Sequence, residues 1–134
     1  MELTEARIIE LPKITDLRGN LTAIQAPGSV PFEIARCYWV YDVPSGLSRD
    51  GHAYYRSHEL IVALNGAFDV EVDNGHGITT YRLQRPNQGL LVPAMHWRTI
   101  ENFTTNGVAM IMSSTLYDID DYIVDYDKFK EIHG

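Results

Sequence analysis

The sequence is poor in cysteine, in positive charge and in long apolar runs, and each shortage argues against a class of protein. Its one cysteine, Cys37, cannot form a disulfide within the chain. Lys and Arg total 11 against 18 Asp and Glu, so the formal net charge is −7 and we expect no nucleic-acid partner. The longest apolar runs, residues 60–64 and 108–112, are far too short to span a membrane.

The length and composition are those of one globular domain. The 134 residues are 45% hydrophobic and 22% charged, which is ordinary globular usage. We therefore predict a single domain over residues 1–134. Residues 1–15 contain three glutamates and no long apolar run, so we expect no signal peptide. Together with the lone cysteine, this predicts a cytoplasmic setting.

Short runs of strand-forming residues recur between turn residues along most of the chain. The predicted strands cover residues 6–11, 21–25, 32–43, 58–64, 68–73, 78–83, 90–92, 97–103 and 108–114. In residues 68–73 apolar and acidic residues alternate, which is the period of a half-buried strand. The pattern predicts an all-β barrel or sandwich, and the length suits a double-sheet jelly roll.

Only the C-terminal residues change to helical spacing. Tyr122, Tyr126 and Phe129 recur at intervals of three or four within residues 117–132. Aspartates at the start and lysines near the end of this segment would interact favourably with the dipole of a helix. We predict a short amphipathic helix that packs on the barrel with its acids solvated.

Residues 51–66 (GHAYYRSHELIVALNG) have the spacing of the first motif of the cupin barrels. That motif is H-x-H, three or four residues, Glu, six residues and Gly. His52, Glu59 and Gly66 stand at the matching places, and Tyr54 stands where the motif has its second His. This part of the chain therefore resembles a cupin, which predicts an all-β cupin barrel, the double-stranded β-helix or jelly roll.

The second cupin motif is matched in spacing by Pro93, Arg98 and Asn102, with Arg98 in place of a metal-binding His. A cupin metal site would need three His and one Glu. Arginine stays protonated and has no lone pair for a metal. Because two of the four ligands are replaced, we expect no catalytic metal and no other cofactor.

The remaining set is an imidazole, a phenol, a carboxylate and a fixed cation, which suits proton transfer. His52 and Tyr54 are two apart on a strand, so both are predicted to point into the barrel. Each residue also has a purely structural interpretation. His52 could be a hydrogen-bonded strand histidine and Tyr54 a packing residue. Glu59, inside an apolar run, could simply form a structural ion pair with Arg98.

Further residues extend the likeness over nearly the whole chain. They lie at positions 16–21, 31–32, 36, 38, 49, 51–53, 64–66, 97, 102–103 and, in the tail, 117–118, 121–123, 126–127 and 129. With these residues the chain resembles the cupin sugar-nucleotide 3,4-ketoisomerases, the WxcM-like family. The resemblance implies a homodimer of jelly-roll barrels that acts on a dTDP-linked 4-keto-6-deoxy sugar without a metal.

The resemblance also implies roles for individual residues. His52 matches the family's base, Arg49 and Arg36 match diphosphate-binding positions, and Tyr38 matches an aromatic residue of the site. Arg18 and Arg98 match positions that differ among members and steer the product stereochemistry. The predicted catalytic residues are His52 and Tyr54, and the predicted substrate-binding residues are Arg18, Arg36, Tyr38, Arg49, Glu59 and Arg98.

The predicted function is a 3,4-keto shift on dTDP-4-keto-6-deoxyglucose or a related nucleotide sugar, through an enediolate. Two alternatives stay open. Because Tyr54 replaces the family's second His, the chain could be a sugar-nucleotide-binding module without catalysis. It could also be a 3,5-epimerase-like or metal-dependent cupin. Residues 36–41 (RCYWVY) would expose sticky aromatic surface on an isolated barrel, which independently favours a dimer.

Overall fold

A computed structural model describes residues 3–44 and 46–134, except for the side chains of residues 49 and 50. It contains twelve strands, a short 3₁₀ turn and one α-helix. In chain order these are β1 (Arg7–Glu10), β2 (Ile14–Asp16), β3 (Gly19–Leu21), β4 (Arg36–Val40), β5 (Arg49–Tyr54), β6 (Glu59–Asn65), β7 (Phe68–Asp73), β8 (Ile78–Leu83), β9 (Gln88–Val92), β10 (Trp97–Glu101), β11 (Val108–Ser113), the 3₁₀ turn (Ile119–Asp121), β12 (Tyr122–Ile123) and α1 (Tyr126–His133).

The strands form two five-stranded antiparallel sheets and a separate hairpin. One sheet has the order β1-β9-β6-β11-β4 and the other β12-β5-β10-β7-β8, while β2 pairs only with β3. Neighbours in each sheet are mostly distant in the sequence, as in a jelly roll. The predicted cupin barrel with a short C-terminal helix is confirmed.

The main core lies between the two sheets and follows from the alternation of side chains along the strands. On β7, Phe68, Val70 and Val72 are buried, whereas Asp69 and Glu71 on the opposite face are partly exposed. The core cluster also contains buried side chains from β6, β8, β9, β10 and β11. This packing leaves the inward side chains of β4, β5 and β10 to form the walls of a cavity.

Two predicted strands differ most in extent from the observed ones. The run 32–43 contains only β4, because β4 is an edge strand whose single partner, β11, pairs with it from Arg36 to Val40. The extension of residues 21–25 ends at Leu21, where pairing between β2 and β3 ends. Strand propensity continues beyond both ends, but the ladder pairing with the neighbouring strand does not.

The predicted helix over residues 117–132 is wrong in its first half. Asp118 caps the 3₁₀ turn by accepting from the N–H of Asp120, and Asp125 caps α1 by accepting from the N–H groups of Asp127 and Lys128. Each N-cap starts a new element, so β12 separates the two. The acids are therefore not all solvated: Asp121 is only 3% exposed. No helix of the described chain is long and apolar enough to cross a membrane.

Candidate functional site

A cavity of about 720 Å³ opens between the two sheets. β4 and β11 contribute walls from one sheet, and β5, β10 and β12 from the other. Its described lining residues are Tyr38, Val40, Ser48, Gly51, His52, Trp97, Arg98, Ile100, Ile111, Tyr122 and Val124. Among the predicted site residues, the cavity thus brings together Tyr38, His52 and Arg98. Its volume lies in the range of small-molecule sites.

Gly51 allows the wall to close beside His52. A Cβ atom at this position would lie 2.3 Å from Trp97 Nε1 and 2.5 Å from Thr99 Oγ1, both on the neighbouring strand β10. Such distances are far below van der Waals contact, so a larger residue would displace the indole. The glycine therefore keeps the Trp97 ring against β5 and sets the width of the cavity there.

His52 and Tyr54 lie on the same face of β5, as the sequence predicts, and their side chains are hydrogen-bonded. His52 Nε2 is 2.9 Å from the Tyr54 hydroxyl, and the two rings meet edge to face. Tyr54 is only 3% exposed and lies behind His52 rather than in the cavity wall. Burial, reinforced by the negative charge of Glu59, raises the pKa of the Tyr54 phenol well above its usual value, so the phenol stays protonated.

Glu59 and Arg98 form a buried, bidentate ion pair. Arg98 Nε donates to Glu59 Oε1 at 2.9 Å and Nη2 donates to Oε2 at 3.1 Å. Burial would raise the pKa of Glu59, but the charge and hydrogen bonds of Arg98 outweigh burial and lower it. Arg98 reaches the cavity wall, whereas Glu59 does not. The structural ion pair that the sequence left open is thus present, and only its cation faces the cavity.

Tyr38 connects this ion pair to the His52–Tyr54 pair. Its hydroxyl donates to Glu59 Oε2 at 2.9 Å and accepts from Arg98 Nη2 at 3.0 Å. The same hydroxyl lies 3.4 Å from the Tyr54 hydroxyl. Burial, together with the charge of Glu59, raises the pKa of Tyr38 to about 12. The five side chains therefore form one continuous hydrogen-bonded network.

Arg36 lies outside the cavity lining, two residues before Tyr38 on the same face of β4. Its guanidinium packs over the rings of Tyr38 and Tyr117, at 5.4 and 5.6 Å from their centroids. Its Nη2 donates to Ser113 Oγ at 3.4 Å, but its buried Nε has no hydrogen-bond partner within the described chain. A buried, unpaired N–H of a charged group is costly, so this atom needs an acceptor.

The two remaining predicted residues are not brought into the network. Arg18 lies in the turn between β2 and β3, with its side chain 90% exposed and paired to Asp16 at 2.7 Å. The backbone of Arg49 begins β5, but its side chain lies outside the described residues.

Tyr122 is a wall residue that the sequence analysis missed. Its ring centroid is 5.1 Å from that of His52 and 4.7 Å from that of Tyr54, because β12 pairs directly with β5. Because Tyr122 has helical spacing to Tyr126, the sequence analysis places it in the predicted helix. The signal that could have revealed it is the pair of aspartates, Asp118 and Asp125, each a good N-cap that predicts a break between them.

The donor set is a poor one for a metal ion. Within the described part of the chain, no group of three or more His, Cys, Asp or Glu side chains is placed to hold one. The carboxylate of Glu59 is occupied by Arg98, whose charge would repel a cation. A histidine in the cavity wall, backed by a protonated phenol and close to a fixed cation, is instead suited to moving a proton and holding an oxyanion.

Comparison with known proteins identifies one family of related proteins. The model of the family FdtA, WxcM-like, C-terminal, matches residues 4–134. A protein of Aneurinibacillus thermoaerophilus named TDP-4-oxo-6-deoxy-alpha-D-glucose-3,4-oxoisomerase is 36% identical over 127 residues, which cover 95% of this chain and 91% of that protein.

Two solved structures have the same fold over almost their full lengths. A 3,4-ketoisomerase from Helicobacter canadensis is 28% identical and superposes with a TM-score of 0.93, covering 98% of both chains. A mutant of the 3,4-ketoisomerase QdtA from Thermoanaerobacterium thermosaccharolyticum, in complex with TDP-4-keto-6-deoxyglucose, is 27% identical with a TM-score of 0.94. The superposition covers 98% of this chain and 95% of that one.

Proposed function

The chain belongs to the FdtA, WxcM-like C-terminal family, and from that premise we propose that it is a sugar-nucleotide 3,4-ketoisomerase. Its substrate is dTDP-4-keto-6-deoxyglucose or a related nucleotide sugar, as the names of its relatives suggest. The observation that carries the proposal is the placement of His52 in the cavity wall, hydrogen-bonded to a buried phenol and paired across the ladder with Arg98.

The reaction needs only proton transfer. A base takes the proton on C3, the electrons of that C–H bond move toward the C4 carbonyl, and an enediolate forms. Return of a proton to C4, with loss of the hydroxyl proton at C3, leaves the carbonyl at C3 and requires no oxidant. We assign His52 as the base. Arg98, the cation in the wall, stabilises the enediolate oxygen, and Tyr54 supports His52 from behind.

Several residues are proposed to bind the substrate. The unpaired Nε of Arg36 supports a contact with a phosphate oxygen, because a phosphate would supply the missing acceptor. Tyr38 contributes to the cavity wall, and Glu59 acts on the substrate only through Arg98. The diphosphate role of Arg49 and the stereochemical role of Arg18 rest on the family resemblance and stay predictions.

We propose that the active form is a homodimer in which each copy is one domain. β4 is an edge strand. Its outward residue Trp39 is exposed, and so are Tyr41, just after its end, and Leu64 on β6. A second copy covering this apolar surface would remove it from water. Light scattering at micromolar concentration should give twice 15.2 kDa, and a mass of 15.2 kDa would reject the dimer. We also propose that the protein is cytoplasmic and that its reaction needs no metal.

The deciding experiment is incubation of the purified protein with dTDP-4-keto-6-deoxyglucose in deuterated water, followed by NMR. The proposal requires a 3-keto product and deuterium at C4. Exchange at C5 would instead indicate a 3,5-epimerase. If nothing turns over but calorimetry shows dTDP binding, the chain is a binding module, the alternative that Tyr54 motivates. Elemental analysis of the same sample checks metal independence, which a stoichiometric transition metal would refute.

A further inference from the structure

We propose that the inner end of the cavity is an apolar subpocket, formed by Val40, Ile100 and Ile111, that receives C6 of the sugar. The subpocket selects nucleotide sugars with a methyl group at C6 over those with a hydroxymethyl group. The inference rests on the proposed function and names the residues that decide which sugars are accepted. The observation behind it is that the cavity lining is polar in one part and aliphatic in another.

The aliphatic part of the lining is the edge of the main core. Ile100 and Ile111 belong to the buried core cluster, Val40 packs against that cluster, and all three line the cavity. Ile100 and Ile111 are fully buried, whereas Val124, another apolar lining residue, is 72% exposed. The subpocket therefore lies at the closed inner end of the cavity, and Val124 lies at its opening.

Strand alternation places the subpocket directly beside the polar residues of the site. Arg98 and Ile100 are two residues apart on β10 and both are buried, and Tyr38 and Val40 are two apart on the same face of β4. Ile111 pairs with Tyr38 across the ladder between β11 and β4. The aliphatic side chains thus adjoin the polar ones, and none of the three has a hydrogen-bonding atom.

The chemistry of the substrate fixes which part of the sugar enters this end. The nucleoside diphosphate is attached to C1, which lies opposite C4 in the pyranose ring. Because a charged group of that size needs the open end of the cavity, C4 points inward. In the proposed reaction His52 is next to C3 and Arg98 holds the oxygen on C4. C5 is the other neighbour of C4, so its C6 substituent lies beyond Arg98, on the side away from His52.

The C6 substituent then decides how well the sugar binds. A methyl group is removed from water among aliphatic side chains, which is favourable. A hydroxyl group on C6 would give up its hydrogen bonds to water and find no partner among Val40, Ile100 and Ile111. Apolar pockets typically discriminate against an added hydroxyl or a missing methyl by roughly 10–100-fold. We therefore expect a clear but limited preference for 6-deoxy sugars.

The test is calorimetry with three nucleotide sugars that have no ketone and so are not converted. They are dTDP-6-deoxyglucose, dTDP-glucose and dTDP-xylose, which has no C6. The first should bind tightest, and the other two should each bind roughly 10–100-fold more weakly. Equal affinity of dTDP-6-deoxyglucose and either of the others would show that C6 does not enter an apolar subpocket, and would overturn the proposal.

One variant then locates the selectivity, with a matched control. Val40→Thr keeps the shape of the side chain and adds a hydroxyl that can pair with one on C6. The affinity gap between dTDP-6-deoxyglucose and dTDP-glucose should therefore narrow by roughly 2–10-fold. Val43→Thr is the control, because Val43 is also partly buried against the core cluster but does not line the cavity. An equal narrowing in Val43→Thr would overturn the assignment. If Val40→Thr does not fold, the three sugars still decide on the parent protein.

Failure of this inference can be told apart from failure of the proposed function. If the affinities follow the expected order but the protein converts no 4-keto sugar, the subpocket is supported and the isomerase function is wrong. If the protein isomerises dTDP-4-keto-6-deoxyglucose but the three affinities are equal, the function stands and the subpocket is wrong. If it binds none of the three and converts nothing, both are wrong.

Discussion

Arg98 holds the Glu59 carboxylate by two parallel hydrogen bonds inside the barrel, with 3% and 1% of the two residues exposed. The pair occupies positions where the related cupin motifs place metal ligands. A cation fixed by the protein therefore stands beside the place where a metal ion would otherwise supply positive charge. Only Arg98 of the pair reaches the cavity, where it can contact a substrate. Glu59 holds Arg98 in place from behind the cavity wall.

The first prediction concerns stability. Glu59→Gln leaves a buried guanidinium without its counter-charge and should destabilise the fold by about 3–5 kcal/mol in urea unfolding. Arg98→Met should cost a similar amount, but the double variant should cost much less than the sum, because no unpaired charge remains. Removal of the exposed Asp16–Arg18 pair by Arg18→Ala, the control, should change little. Additive effects at positions 59 and 98 would show that the pair is not coupled.

The second prediction is an acid-side loss of stability due to Glu59. Its pKa is lowered in the folded state, so below its unfolded value of about 4.3 the unfolded chain binds more protons than the folded one. The contribution of Glu59 is therefore present above that pH and is lost as the pH falls through the folded pKa. Urea unfolding from pH 6 downward should show a smaller fall in Glu59→Gln than in the parent. Equal pH dependence in the two proteins would contradict the lowered pKa.

Much of the fold follows from the sequence because strand alternation and turn dipeptides act locally. The alternation in residues 68–73 predicts both β7 and the side chains that it buries. Strand ends were less predictable, since the length of β4 depends on how far β11 extends beside it. The C-terminal error has the same origin. Tyr122 has helical spacing to Tyr126, but pairing with Tyr54 on β5 makes it part of a strand.

The candidate site, too, could be predicted from the sequence only in part. Motif spacing brings out His52 and Arg98, which the structure places opposite each other on neighbouring strands. It does not reveal that Tyr54 lies behind His52, or that Tyr38 joins the two halves of the network, because these relations depend on how the two sheets pack. Arg18 was selected by resemblance alone, and in one chain its side chain remains in solvent.

The third prediction tests His52 as the base. His52→Asn keeps hydrogen-bonding ability and removes the basic nitrogen, so kcat should fall by roughly 10²–10⁴-fold. The affinity for dTDP, measured by calorimetry, should change little. His76→Asn is a matched control, since His76 is exposed in the turn between β7 and β8, away from the cavity. A His52→Asn protein as active as the parent would show that another group takes the proton.

The fourth prediction separates the two roles left open for Tyr54. Tyr54→Phe removes one hydroxyl and almost no volume, so a packing role predicts normal turnover. A role in supporting His52 predicts a large fall in kcat with dTDP affinity nearly intact, and this is the result we expect. Tyr54→His restores the residue found in the cupin motif and should retain more activity than Tyr54→Phe. If the phenylalanine variant turns over substrate normally, the hydroxyl network has no part in catalysis.

The last prediction concerns Asp121, which anchors the segment that carries Tyr122. Its buried carboxylate accepts hydrogen bonds from the N–H groups of Arg56 and Ser57 at 2.8 and 3.2 Å and from Ser57 Oγ at 2.5 Å. These bonds fix the start of β12 against the turn that follows β5, and so hold the Tyr122 ring against His52.

Asp121→Asn replaces one accepting oxygen by an amide group that faces donors, which should cost about 1–3 kcal/mol of stability. Because the main core cluster contains no side chain from residues 118–125, hydrogen exchange should rise in this segment while β6 and β11 stay protected. A displaced cavity wall should raise KM more than it lowers kcat. Asp120→Asn, an exposed neighbour in the same 3₁₀ turn, is the matched control and should behave like the parent. Uniformly faster exchange across the whole barrel would show that Asp121 supports the global fold rather than the wall of the site.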